Sequence, residues 1–188
     1  IILLLVVLAR SGVGLHRVGK RTYGLFKSFF LDPETDTYSL SKLQFYVWTA
    51  VALFAYVYIT VAHSLIRGVF ELPPIPSGLP GIILVSAGTT ILSQGITSTN
   101  KVKGSGGLYP SLADFITSGG IVAADRVQFL VWTIIGAGGL LVMLLLQDPG
   151  LVDTVPALPN GFLQLMGVSA AGYLGGKLIR HPGPIIDE

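Results

Sequence analysis

The sequence predicts an all-α integral membrane protein. The expected fold is a helical bundle of tandem parallel two-helix repeats, with four complete transmembrane helices and a truncated fifth at the N-terminus. Three observations predict it: little charge, four long apolar stretches and an internal repeat. Only 12% of the 188 residues are charged and the mean hydropathy is +0.71. Soluble domains carry about 25% charged residues, so this chain lacks the side chains that cover a water-facing surface.

The four apolar stretches are each close to the ~20 residues that a helix needs to cross a bilayer. They lie at 43–66, 81–98, 127–147 and 161–178. Backbone polar groups in hydrocarbon must be satisfied within their own segment, so each stretch is expected to be helical. The shorter apolar run Ile1–Ala9 is interpreted as the inner end of a truncated spanning helix.

Basic residues indicate the orientation of the bundle. All but one of the 12 Lys and Arg residues fall in 10–42, in 99–126 or from residue 177 onwards, and the exception is Arg67. Cytoplasmic loops of membrane proteins carry the excess of Lys and Arg. The pattern therefore places 10–42, 99–126 and the C-terminus in the cytoplasm, with the helices in a bacterial inner membrane.

These features divide the chain into five segments. They are the end of an N-terminal helix at 1–9, a basic interfacial segment at 10–40, a first repeat at 41–98, a cytoplasmic linker at 99–124, and a second repeat with the C-terminal tail at 125–188. The segment 10–40 mixes basic and aromatic residues, which suits a helix lying in the headgroup plane.

Two short motifs recur at a nearly constant spacing. The residues from Ser41 to Thr49 match those from Asp125 to Thr133 at Gln, Phe, Val, Trp and Thr. The shift that takes Gln44 to Gln128 is called the repeat offset. Later, Val85-Ser86-Ala87 recurs as Val168-Ser169-Ala170, at an offset shorter by one position. Each unit contains two helices, so both units start on the same side of the membrane and the repeat is parallel rather than inverted.

The first motif places six notable residues at the helix starts: Ser41, Gln44, Trp48, Asp125, Gln128 and Trp132. Ser-x-x-Gln and Asp-x-x-Gln fit a capping box, in which the first side chain caps the helix and Gln bonds back to the N-cap amide. The two tryptophans follow about one turn later, where indoles favour the membrane interface. A repeated Gln–Trp ligand site is the alternative, and the capping interpretation is preferred.

Small polar residues dominate the second helix of each unit. The set comprises Ser86, Thr90, Ser93 and Thr97 in the first unit, and Ser169, Gly172 and Gly176 in the second. The spacings of four, three and four in the first set put its hydroxyls on one helix face. Close helix packing is the preferred interpretation, and a polar stripe lining a pore in an oligomer is the alternative.

Catalytic chemistry has no candidate residues within the spans. Ionisable groups inside a membrane tend to be functional, and the nearest candidate is His63, close to the outer end of its helix. His63 could bind a pigment or a metal, but an interfacial histidine is the simpler interpretation. A net charge of +2 gives no indication of nucleic-acid binding. We therefore expect a protein that is not an enzyme and that has no cofactor or metal.

Two stretches resemble motifs of a bacterial family of multi-pass membrane proteins with tandem two-helix repeats and no characterised activity. Ser39–Gln44 followed by Trp48 resembles the motif that opens its units, and Leu165–Gly175 resembles the one that closes them. The resemblance covers 39–178. It departs at Ser86–Thr90, which lacks the Tyr-Leu-Gly found in the second unit. It implies the architecture and no activity.

The expected function is that of an oligomeric, accessory or scaffold subunit of a membrane complex. Short proline-rich outer loops, small-residue helix faces and the lack of a catalytic constellation favour it. Its partners would be membrane lipid and either copies of itself or a larger complex. A channel or pore subunit is the first alternative, and a pigment-binding or redox-complex accessory subunit is the second.

Overall fold

The structure is a computed structural model that describes residues 16–18, 21–32, 35–76, 78–100, 110–118 and 120–179. The described part is mostly helical, with four long helices: α1 at Leu40–Ala62, α2 at Gly78–Asn100, α3 at Ala124–Leu145 and α4 at Asn160–Ile179. The prediction of a helical fold is therefore confirmed at this level. The expected helix end at 1–9 and the C-terminal tail after residue 179 lie outside the described residues.

Among the described residues, three helical segments are long and apolar enough to cross a membrane: Leu40–Arg67, Gly78–Thr99 and Ala124–Leu145. The first combines α1 with a wide π-helical turn at His63–Arg67. Helix α4 has a similar length of 20 residues but is not among the three. Its Gln164 and Lys177 make it less apolar than the others.

The helices pack as a square. The main contacts join α1 to α2, α1 to α3, α2 to α4 and α3 to α4. Corresponding helices of the two units, α1 with α3 and α2 with α4, are thus neighbours and not diagonal partners. A half-turn rotation about the bundle axis would put them on diagonals. The second unit therefore lies beside the first, displaced sideways in the same orientation.

Short antiparallel strand pairs precede the first helix of each unit. They are β1 (His16–Val18) with β2 (Arg21–Tyr23), β3 (Leu31–Asp32) with β4 (Thr37–Tyr38), and β5 (Thr117–Ser118) with β6 (Ile121–Val122). The basic segment was expected to form a helix in the headgroup plane. Its described part instead contains the pairs β1–β2 and β3–β4 and one helical turn at Leu25–Ser28.

The second strands of hairpins β3–β4 and β5–β6 follow the same repeat as the helices, whereas the first strands differ by two positions. The repeat offset that takes Gln44 to Gln128 also takes strand β4 onto strand β6. It takes Asp36 (φ 52°) onto Gly120 (φ 78°), so each hairpin has a residue with positive φ just before its second strand. Asp and Gly are residue types that adopt this conformation readily. Each repeat unit is therefore a hairpin followed by two helices.

The capping boxes predicted at Ser41 and Asp125 do not form. Helix α1 begins at Leu40 after Ser39, and α3 begins at Ala124 after Ala123, so both residues lie inside their helices. The hairpins explain the earlier starts, because the backbone N–H of Ser39 donates to Phe30 O (2.7 Å) and that of Ala123 to Ile116 O (2.9 Å). These bonds fix each helix start through the backbone, without a side-chain cap.

Candidate functional site

The contact between the two units centres on Trp48, which is completely buried. Its ring lies against Phe162 of α4, with 6.3 Å between ring centroids. Another neighbour is Gly136 of α3, where an added β-carbon would lie 3.0 Å from Trp48 Cη2 and still closer to Phe162. Only a glycine lets both aromatic rings approach the α3 backbone this closely.

Trp132, the second repeat tryptophan, lies on the far side of the same phenylalanine. Its ring is 6.2 Å from Phe162, edge to face, and it is only half-buried. Phe162 is thus flanked by both repeat tryptophans. Trp48 was expected near the depth of the membrane interface; the structure shows that its side chain is enclosed inside the bundle and not exposed on its surface.

Gln44 lies one turn before Trp48 on the same face and is also completely buried. Neither of its side-chain polar atoms, nor Trp48 Nε1, has a hydrogen-bond partner among the described residues. Gln128, its counterpart in the second unit, is exposed and donates weakly to Ser169 Oγ at 3.3 Å. The same motif residue is therefore enclosed in one unit and open in the other.

The hydroxyl stripe of α2 faces the inside of the bundle. Ser86, Ser93 and Thr97 are buried and Thr90 is half-buried. Ser86 donates to Ile82 O (2.8 Å), and Thr97 donates to Ser93 O (2.9 Å). Thr90 reaches across to Ser41 O of α1 at 3.0 Å. The hydroxyls bond backbone carbonyls within and between helices of one chain, the role described by the packing interpretation.

The α2–α4 contact is polar at the end of the bundle that carries the hairpins. Ser93 Oγ lies 3.2 Å from the Tyr173 hydroxyl, and Lys177 Nζ donates to Ser93 O (2.8 Å) and Ser93 Oγ (2.7 Å). Tyr173 also stacks on Phe129 at 5.2 Å. The guanidinium of Arg126 lies 5.9 Å from the Tyr173 ring centroid, within cation–π range. These contacts join α2, α3 and α4 at the hairpin end of the bundle.

One basic side chain in each unit donates to a backbone carbonyl of the segment that precedes the unit's first helix. Lys42 Nζ donates to Leu31 O (2.7 Å), and Arg126 Nη1 donates to Asp114 O (2.6 Å). Lys42 and Arg126 correspond to each other at the repeat offset. From the sequence, both residues indicated only the orientation of the bundle in the membrane. Their equal position in the repeat was the available clue to a shared structural role.

Asp114 lies in the short 3-10 helix Leu112–Phe115, just before β5, and joins it to hairpin β3–β4. Its buried carboxylate accepts hydrogen bonds from the backbone N–H of Tyr38 (3.1 Å) and of Ser111 (2.9 Å). Tyr38 stacks on Phe115, with 5.7 Å between ring centroids. Burial raises the pKa of the Tyr38 hydroxyl, and the charges of Tyr23 and Asp114 raise it further. The ring therefore stays neutral at physiological pH.

The repeat register reveals a face that the second unit leaves open. On α1, one helix face carries Gln44, Trp48, Val51, Ala55 and Ile59, and all five are buried. Trp48 on this face contacts Phe162 of the second unit. On α3, the counterparts of these five residues, which we call the unit-2 open face, are Gln128, Trp132, Ile135, Gly139 and Met143. Trp132 is half-buried and the other four are exposed, with Ile135 at 53% and Met143 at 38%.

Neighbouring elements of the second unit are open in the same direction. Thr37 and Tyr38 are buried, whereas their counterparts Ile121 and Val122 are 75% and 64% exposed. Gly172 corresponds to the buried Thr89, and nothing lies within 4 Å of a β-carbon placed on it. The close packing expected at Gly172 is thus not made within the described chain. Strand β6, α3 and α4 are thus each exposed at positions whose counterparts in the first unit are buried.

His63 joins the end of α1 to the segment between α3 and α4. Its Nε2 lies 2.7 Å from Val152 O, its side chain is buried, and Nδ1 has no hydrogen-bond partner among the described residues. Nearby, Arg67 donates to Asp153 and to Gly150 O. No group of three His, Cys, Asp or Glu side chains that could hold a metal occurs in the described part of the chain.

Comparisons of the chain with protein-family profiles, with curated proteins and with solved structures found no match.

Proposed function

We propose that this chain is a non-enzymatic subunit of a bacterial inner membrane that works by assembling with other membrane-embedded chains. In this proposal all four long helices cross the bilayer, α4 included, because packing against α2 and α3 compensates for its lower hydropathy. The hairpins then lie on the cytoplasmic side with the basic residues, as the positive-inside rule requires.

The observation that carries the proposal is the unit-2 open face. In the first unit, Gln44, Trp48 and Ala55 are buried, because a helix pair covers them. In the second unit the equivalent Gln128 and Gly139 are exposed. A face that one unit uses for helix packing is thus available for the same use in the other.

Lipid contact does not account well for this face. Elsewhere α1 and α3 expose large apolar side chains such as Phe54, Val57 and Ile134, which suit acyl chains. The open face differs because it carries an amide at Gln128. Small residues and hydrogen-bonding side chains are enriched where membrane helices pack against one another.

The pore alternative receives no support from the hydroxyl stripe. A pore at the centre of an oligomer would need these hydroxyls on an outer face of the subunit. Ser86, Ser93 and Thr97 are instead buried within one bundle, and their hydroxyls bond carbonyls or the Tyr173 hydroxyl. Conductance in planar bilayers that Ser93→Leu abolishes without unfolding the chain would reverse this preference.

Two adjacent glycines supply a matched test. A β-carbon on either Gly138 or Gly139 meets nothing within 4 Å, but only Gly139 belongs to the open face. We expect Gly139→Leu to dissociate the assembly in mild detergent and in lipid nanodiscs. Gly138→Leu should leave the assembled mass unchanged. Equal behaviour of the two variants, or an unassembled wild-type chain without partners, would contradict the proposal.

A further inference from the structure

We infer that the partner on the unit-2 open face is a second copy of this chain, docked head to tail through its first unit. This inference rests on the proposed function and names its partner. The docking surface of the second copy is the unit-1 open face, formed by Phe45, Thr49, Leu53, Tyr56 and Thr60. These residues correspond in the repeat to Phe129, Thr133, Ala137, Leu140 and Leu144.

The first argument is the division of the repeated motif between two faces. Gln44 and Trp48 are buried on the side of α1 that meets the second unit. Phe129 and Thr133 are buried on the face of α3 that includes Gly136, the residue beneath Trp48. Each copy of the motif therefore carries a Gln–Trp half and a Phe–Thr half. The chain buries the Gln–Trp half of the first copy and the Phe–Thr half of the second.

The unused halves repeat the motif residues of the used ones, although Gly136 and Phe162, which Trp48 contacts, have Ala52 and Leu79 as their counterparts. Gln128 and Trp132 repeat Gln44 and Trp48, and Phe45 and Thr49 repeat Phe129 and Thr133. In these second copies Gln128 and Thr49 are exposed, while Phe45 and Trp132 are half-buried. A second chain placed against the first would pair the unused Gln and Trp with the unused Phe and Thr.

Local geometry at the two threonines is also the same. Thr133 Oγ1 donates to Phe129 O at 2.8 Å, and Thr49 Oγ1 donates to Phe45 O at 2.8 Å. Both hydroxyls are thereby satisfied by their own helix. Thr49 can therefore be covered by a neighbouring helix without leaving an unsatisfied polar group, as Thr133 already is.

The packing of the units permits this continuation. The second unit is displaced sideways from the first in the same orientation, so the same displacement applied again adds a further unit in the same row. A contact between two different faces is heterologous, and repeated heterologous contacts give either a closed ring or an open row of subunits. A face-to-face dimer would instead pair the unit-2 open face with itself.

Cysteine cross-linking in membranes tests the inference, because the native chain contains no cysteine. Leu53→Cys marks the unit-1 open face and Gly139→Cys marks the unit-2 open face. Co-expressed single variants are treated with copper phenanthroline. The controls are Phe54→Cys and Ile134→Cys. Phe54 is 47% exposed, against 48% for Leu53, and Ile134 is 61% exposed. Each control lies on the same helix as its test position but faces away from the proposed contact.

We expect a disulfide-linked dimer from the mixture of Leu53→Cys with Gly139→Cys, and none from either variant alone. The double variant should give a ladder of larger species. Linking of Gly139→Cys to itself, equal linking by the control positions, or linking of Gly139→Cys to a different protein would overturn the inference. Assembly without the expected link would refute the head-to-tail contact alone, whereas an unassembled chain would refute the proposed function as well.

Discussion

Trp48 packs so closely on Gly136 that a β-carbon there would lie 3.0 Å from its ring. This one contact joins α1 of the first unit to α3 of the second. The glycine lets the indole approach the α3 backbone closely, because a side chain at position 136 would crowd it. The arrangement of the units, and with it the identity of the open faces, depends on this pair.

We expect Gly136→Ala to destabilise the chain by about 1–3 kcal/mol, the usual range for overpacking a filled interior. The methyl group would meet the completely buried Trp48 ring and the half-buried Phe162 ring, so at least one ring would have to shift. Gly138→Ala is the control, because its β-carbon meets nothing within 4 Å and alanine favours helix. Thermal unfolding in detergent measures both, and equal melting temperatures would contradict the packing described.

The two repeat tryptophans should differ sharply when truncated. We expect Trp48→Ala to lower the unfolding free energy by about 3–5 kcal/mol, as large buried aromatic truncations do. Trp132→Ala should affect subunit stability less, because the indole is only half-buried, but should weaken assembly. Unfolding and native mass measurements on the same samples separate the two effects. Similar losses of stability in both variants would argue against the asymmetry of the units.

Asp114→Ala should loosen the contact between the 3-10 helix Leu112–Phe115 and hairpin β3–β4. The substitution removes the acceptor for the Tyr38 and Ser111 amides and leaves both N–H groups unpaired, at a cost of about 1–3 kcal/mol. Asp114→Asn keeps one carbonyl oxygen and should cost less. Hydrogen exchange at the Tyr38 amide reports the bond directly. Unchanged protection of that amide in Asp114→Ala would show that the carboxylate does not join the 3-10 helix to hairpin β3–β4.

Hydropathy predicted the four long helices well. The stretch 127–147 became α3 at Ala124–Leu145, and 161–178 became α4 at Asn160–Ile179. The length of an apolar stretch sets the length of such a helix, so the local sequence is enough to predict the helix. The helix starts were less accurate because the hairpins decide them, and a hairpin of two-residue strands leaves almost no periodic signal.

The direction in which a face points was not predictable from spacing. The intervals among Ser86, Ser93 and Thr97 correctly gave a shared face, but whether it faced inward depended on where α4 packs. The same holds for Trp48, whose interface position was inferred from its type and depth. An alignment of the two whole units at the repeat offset, which pairs Lys42 with Arg126, was the sequence clue to the hairpins that was not used.

Native mass spectrometry of the gently extracted protein tests the central claim most directly. The account predicts particles whose mass is a whole multiple of the subunit mass, reduced to single subunits by Gly139→Leu and unaffected by Gly138→Leu. A wild-type chain that remains a single subunit in detergent and in lipid nanodiscs, with no partner bound, would contradict it.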